Sequence, residues 1–159
     1  MRIKYRLAAM AFVAALAVIG GLARADADKD NPAFARRVAG TYFVVEQETG
    51  TREFLTISVD GNVFLNSSAE GEFQFGSSQG VWERSGRRAI AMKVANFDFD
   101  DQGIAVVDFV IEFDPTFMEL DGRFSGALYP DNVDPLNPGN AVPLFAFEDD
   151  VAGRRMLAR

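Results

Sequence analysis

Along Ile104–Phe113 and Phe117–Leu128 the chain alternates apolar and polar positions. In the first stretch Val107, Phe109, Ile111 and Phe113 share one side, and Asp108 and Glu112 share the other. The second repeats the pattern with Met118, Leu120, Phe124 and Leu128 against Glu119, Asp121, Arg123 and Ser125. A strand points successive side chains to opposite faces, so this period of two predicts half-buried antiparallel β structure.

The same rhythm runs through most of the chain. Strands are expected at Thr41–Gln47, Arg52–Val59, Asn62–Ser68, Gly80–Arg84, Arg88–Phe99, Ile104–Phe113, Phe117–Tyr129 and Leu144–Arg154. Short turn signals separate them. Asp60-Gly61 is the strongest, because Asp and Gly tolerate the positive φ of a two-residue hairpin. Two connections are longer: the Ser- and Gly-rich Ala69–Gln79, and Pro130–Pro143 with its four prolines. Hairpin-sized connections make sequential strands antiparallel neighbours, and eight of them can close on themselves and remove every exposed edge. The expected fold is therefore all-β, an eight-stranded antiparallel up-and-down barrel, with a β-sandwich as the alternative. Gly122 and Gly126 sit on the apolar side of their strand, where glycine marks a bend or a close approach.

The N-terminus reads differently. Arg2, Lys4 and Arg6 precede an apolar run from Leu7 to Leu22, and Ala23-Arg24-Ala25 supplies small residues where a signal peptidase cuts. The run of about 16 residues is shorter than the roughly 20 that a spanning helix needs. Residues 1–25 are read as a signal peptide, 26–39 as a polar lead-in in which Phe34–Val38 is either one helical turn or simply a tether, and 40–159 as a single barrel domain. Cleavage after Ala27 is the alternative. The mature protein is then secreted or periplasmic, with no membrane attachment after cleavage.

Cleavage leaves 12 basic residues against 23 acidic ones, a net charge of −11 on 134 residues. That charge repels phosphate backbones and anionic lipid surfaces, so no nucleic-acid partner is expected. The chain contains no cysteine and no histidine. Disulfides, Ser-His-Asp and Cys-His nucleophiles, and the usual zinc and copper ligand sets are excluded with them. No glycine-rich phosphate loop opens a helix, and no cofactor is expected. Asp98, Asp100 and Gln102 with Gly103 match the opening of a calcium loop, but Phe109 stands where its bidentate Glu belongs. The segment reads as an acidic hairpin turn.

Several segments carry a family likeness: Gly80-Val81-Trp82-Glu83-Arg84 with Gly86, the Asp98–Gly103 turn, Leu120-Asp121-Gly122-Arg123-Phe124-Ser125-Gly126, and Ala152-Gly153-Arg154-Arg155. Together they resemble a family of small exported bacterial proteins of uncharacterised function, itself similar to the lipocalin-like (calycin) and allene-oxide-cyclase-like barrels. The likeness spans about Gly40 to Arg155, implies a calycin-like barrel, and brings no catalytic motif. Lipocalins place G-x-W on the first strand, whereas Gly80-Val81-Trp82 lies mid-chain, so no ligand pocket transfers residue by residue.

Export, a barrel and many inward aromatics lead to one functional expectation: a small hydrophobic ligand held in the lumen. Candidate ligand contacts are Trp82, Lys93, Phe109, Phe113 and Phe124. Lys93 matters only if it points inward, and both sides of its strand are largely apolar, which leaves that strand unoriented. Ile90, Met92 and Val94 facing outward would instead suit a homo-oligomer interface. A filled barrel working through its surface, and a cyclase- or isomerase-like enzyme using Tyr42, Tyr129, Lys93 or a carboxylate, are the alternatives.

Overall fold

The structure is a computed structural model in which residues 31–158 are described. The expected signal peptide and its cleavage site lie outside the described residues. The strands are β1 Gly40–Glu46, β2 Arg52–Ile57, β3 Asn62–Ser67, β4 Ser78–Arg84, β5 Ala89–Asp98, β6 Gly103–Phe113, β7 Glu119–Pro130 and β8 Phe145–Arg155. Each pairs antiparallel with the next, and β8 pairs back onto β1 with Val44 opposite Gly153. The result is a closed barrel, which decides against the sandwich. The inward set of the strands is mostly apolar, as on β6, where Ala105, Val107, Phe109, Ile111 and Phe113 are all buried. An eight-stranded barrel has just the interior that such side chains can fill.

Closure orients β5. Ile90, Met92 and Val94 face the core, while Ala91, Lys93 and Ala95 face out. The apolar side that suited an oligomer interface is therefore interior, and that argument for self-association falls away.

The connections place two different ends. At one end a helix, α1 (Pro32–Val38), crosses the barrel mouth. The Asn31 side chain caps it by accepting the Phe34 N–H at 3.1 Å, and Pro32 at its first position brings a pre-set φ. Phe34 and Val38, four residues apart, share one face and are buried. Phe34 meets Trp82 at 6.3 Å and Phe117 at 6.0 Å between ring centroids. Trp82 is anchored by donating its indole N–H to the Ser58 carbonyl at 2.8 Å. This helix is the cork of the barrel.

Phe117 reaches the cork from the turn between β6 and β7. Its φ of 61° is left-handed, an uncommon state for a bulky residue. The Asp114 carboxylate holds that turn, accepting the N–H groups of Glu119, Met118 and Thr116 at 3.0, 2.7 and 3.1 Å. Those bonds, Glu119's above all, keep the Asp114 carboxyl far below the usual carboxylate range. At the opposite end of the barrel the β3–β4 connection carries a short helix, α2 (Glu70–Phe73), within the stretch expected as loop. Among the described residues no helix is long and apolar enough to cross a membrane.

Candidate functional site

The end opposite α1, uncorked in that α1 does not reach it, gathers the last residues of β1 and β5, the first residues of β2 and β8, helix α2 and the connection between β7 and β8. Its first feature is a run of aromatic rings on β6, β7 and β8. Phe145 is 58% exposed, and it stacks on Phe147 with 5.8 Å between centroids. Phe147 meets Phe124 edge-on at 6.1 Å, and Phe124 meets Phe109 at 5.2 Å. Phe124 and Phe109 are 8% and 5% exposed, so the rings descend from solvent into the core. Gly126 makes room for this ladder: a Cβ there would lie 2.4 Å from the Phe147 ring. That is the close approach expected of this glycine.

The second feature is polar. Glu53 on β2 alternates with Leu55 and Ile57 and is buried with them. Its Oε2 has no hydrogen-bond partner. Burial, followed by the charge and hydrogen bond of Glu46 and the charge of Glu70, pushes the Glu53 carboxyl up to about 8. A hydrogen bond between two carboxyls needs a proton on one of them, and the buried Glu53 keeps it. Glu70 is occupied elsewhere, accepting the Ser67 N–H at 2.9 Å. Asn96 on β5 donates to the Ser78 hydroxyl at 3.0 Å, yet its own buried Oδ1 has no partner. Two oxygens thus lie shielded from solvent and without a protein donor, an arrangement that native interiors rarely leave unfilled.

Asp149 on β8, also at this end, is fully used. Its carboxylate accepts the N–H groups of Glu48, Thr49 and Asp150 and so clamps the β1–β2 turn onto β8. Among the described residues no group of three or more His, Cys, Asp or Glu is arranged to hold a metal ion. The Asp98 segment is a hairpin turn in which Asp98 accepts the N–H groups of Asp100 and Asp101.

The five residues singled out from the sequence separate into three places. Phe109 and Phe124 belong to the aromatic ladder. Phe113 and Trp82 belong to the cork end, where Phe113 stacks on Phe117 at 5.5 Å and lies 5.6 Å from Tyr42. Lys93 is on the outer face, where it pairs with Asp108 at 2.8 Å with 45% of its side chain exposed. A lumen role for Lys93 is therefore corrected: the strand parity that buries Ile90 and Met92 sends Lys93 to solvent. Tyr42, weighed as a catalytic phenol, donates to the Val38 carbonyl at 3.0 Å, and burial pushes its phenol up despite the nearby Arg155 guanidinium.

Glu53, Asn96 and Phe147 were missed. Glu53 was legible, because it shares parity with Leu55 and Ile57 and is the one acid on that side of the strand. Asn96 was legible in the same way beside Ile90, Met92 and Val94. Phe147 was not, because its value comes from Gly126 on a neighbouring strand.

Fold and site together define a class: a small closed up-and-down β-barrel, corked by a helix at one end and aromatic and acidic at the other. Comparison with protein-family models, curated proteins and solved structures gives no match to this chain.

Proposed function

We propose that the protein is an exported binding module that takes a small, largely apolar molecule into the uncorked end of its barrel. The observation that carries this reading is the pairing of an aromatic ladder open to solvent with two buried, unpartnered oxygens at the same end. A ligand with an apolar body and one N–H or O–H group satisfies both: its body lies against Phe145, Phe147 and Phe124, and its donor meets Glu53 or Asn96. The order of basic, apolar and small residues in 1–25 supports export. The outer face supports a protein that leaves the membrane after cleavage, since Asp108, Glu112, Asp121, Arg123, Glu148 and Asp150 are all exposed there, and lipid-facing charges are costly. The calycin-like resemblance agrees with this reading of the barrel as a container.

The test is titration of the purified protein with an environment-sensitive apolar dye carrying an amine. Saturable binding is expected, weakened roughly tenfold by Phe147→Ala or Glu53→Leu, which corresponds to about 1.4 kcal/mol. Phe54→Ser, on the outer face, is expected to leave it unchanged. Absence of saturable binding, or equal loss in all three variants, would overturn the proposal.

One observation favours a second reading, a protein that works through its surface. Phe43 and Phe54 face each other across β1 and β2 on the outside, 5.8 Å between centroids, and Phe64 on β3 is exposed nearby. If this patch is an interface between copies, sedimentation gives a mass that rises with concentration, and Phe54→Ser with Phe64→Ser returns it to that of one chain.

A further inference from the structure

At the corked end a cleft of about 360 Å³ opens between α1, the β4–β5 turn and the β6–β7 turn. Four arginines line it, Arg37, Arg84, Arg87 and Arg88, together with the rings of Phe34 and Phe117. They come from two separate parts of the chain, and only the closed barrel brings them together. The convergence is against the trend of the molecule, whose net charge is −7 over the full sequence. Like charges gathered in one concavity repel, and a bound anion relieves that repulsion.

Two of the four guanidiniums are held in place. Arg37 lies over the Phe117 ring at 4.1 Å and donates to the Pro115 carbonyl at 3.1 Å. Arg84 lies over the Phe34 ring at 4.5 Å and donates to the Gly86 carbonyl at 2.8 Å. Stacking on an aromatic face fixes the plane of the fork while leaving other N–H groups to recognise an oxyanion. Arg84 has further partners, so the site rests on the other three. Arg88 forms a long ion pair with Glu112, 3.6 Å, and Arg87 is exposed.

We infer that this cleft is a binding site for a small organic anion, a carboxylate or phosphate on an aromatic or aliphatic body. The guanidiniums take the oxyanion in bidentate fashion, and the body lies against Ala33 and Pro115, the exposed apolar residues of the cleft, since Phe34 and Phe117 are buried beneath Arg84 and Arg37. Its volume falls in the range of small-molecule pockets, about 300–1,000 Å³, and exceeds what a bare inorganic ion fills. This site is separate from the uncorked mouth and goes beyond the function proposed there.

The molecule carries its own reporter. Trp82 is the one tryptophan in the chain, and its ring lies 6.3 Å from Phe34 at the wall of the cleft. The experiment follows Trp82 fluorescence and calorimetric heat while inorganic phosphate, phenyl phosphate and benzoate are titrated separately at low salt. Phenyl phosphate and benzoate are expected to bind saturably and at least tenfold more tightly than inorganic phosphate, with affinity falling as salt is added. Arg87→Gln with Arg88→Gln is expected to weaken both at least tenfold, and Arg88→Lys to weaken them less. Because Arg87 is exposed, Arg87→Gln alone tests the site without threatening the fold. No saturable binding of any probe, equal affinity for inorganic and organic phosphate, or unchanged affinity in the double variant would each overturn the assignment.

Discussion

The Tyr42 hydroxyl donates a hydrogen bond of 3.0 Å to the carbonyl of Val38, joining the first strand to the last turn of the helix that corks the barrel. Both residues are fully buried. Tyr42→Phe keeps the ring and its contact with Phe113 but leaves a buried carbonyl without its donor. A loss of about 1–2 kcal/mol is expected. It is read as a lower urea midpoint at unchanged slope, which separates lost stability from a change in the extent of unfolding.

Glu53 makes stability depend on pH in a direction opposite to that of most carboxylates. The folded protein keeps a proton on Glu53 up to about 8, whereas the unfolded chain releases it near 4.5. The contribution of that proton is complete below the unfolded value and is lost as pH rises through the folded one. Unfolding free energy is therefore expected to include a fall between these two values, at most about 1.4 kcal/mol per pH unit. Glu53→Gln keeps the shape and removes the titration, so its denaturation curves at pH 5, 6.5 and 8 are expected to lie closer together than those of the parent. Equal spacing in both proteins would show that Glu53 is ionised in the fold.

Two glycines with different surroundings predict opposite outcomes. A Cβ on Gly80 would lie 1.9 Å from the Lys93 carbonyl oxygen, where β4 and β5 pair face to face. Gly80→Ala is expected to cost about 1–3 kcal/mol, because backbone must move to admit it. Gly71 in α2 has nothing within 4 Å of the same added atom. Gly71→Ala is expected to be neutral or to stabilise by up to about 1 kcal/mol through its better helix propensity. Thermal melts of the two variants check the contrast.

Lys93 pairs with Asp108 in full view of solvent. Exposed ion pairs contribute about 0–1 kcal/mol and are screened by salt. Lys93→Ala is expected to change stability by no more than this and to leave dye binding at the uncorked mouth unaltered. A large loss of dye affinity in Lys93→Ala would place the lysine in the site after all.

Strand order and turn positions were readable along the chain because they depend on neighbours in sequence. Asp60-Gly61 bends wherever it stands, and the Phe109, Ile111, Phe113 series alternates whatever it packs against. The expected strands at Ile104–Phe113 and Asn62–Ser68 accordingly fall within a residue of β6 and β3. Where both faces of a strand were apolar, alternation lost its meaning. β5 has Ile90, Met92 and Val94 on one side and Ala91, Ala95 and Phe97 on the other, and only pairing with β4 and β6 decided which side was interior.

By itself, the sequence determined the all-β class, the antiparallel order and the absence of histidine and cysteine chemistry. Closure decided everything that concerns a site. Phe34 became part of a cork because α1 crosses the barrel end, and Phe145, Phe147, Phe124 and Phe109 became a ladder because β6, β7 and β8 lie side by side. Arg37 and Arg87 share one cleft although dozens of positions separate them in the chain. The physical reason is that alternation is a property of one strand, whereas a binding surface is made by the register between strands. In a closed barrel that register also depends on how the last strand meets the first, which no local pattern encodes.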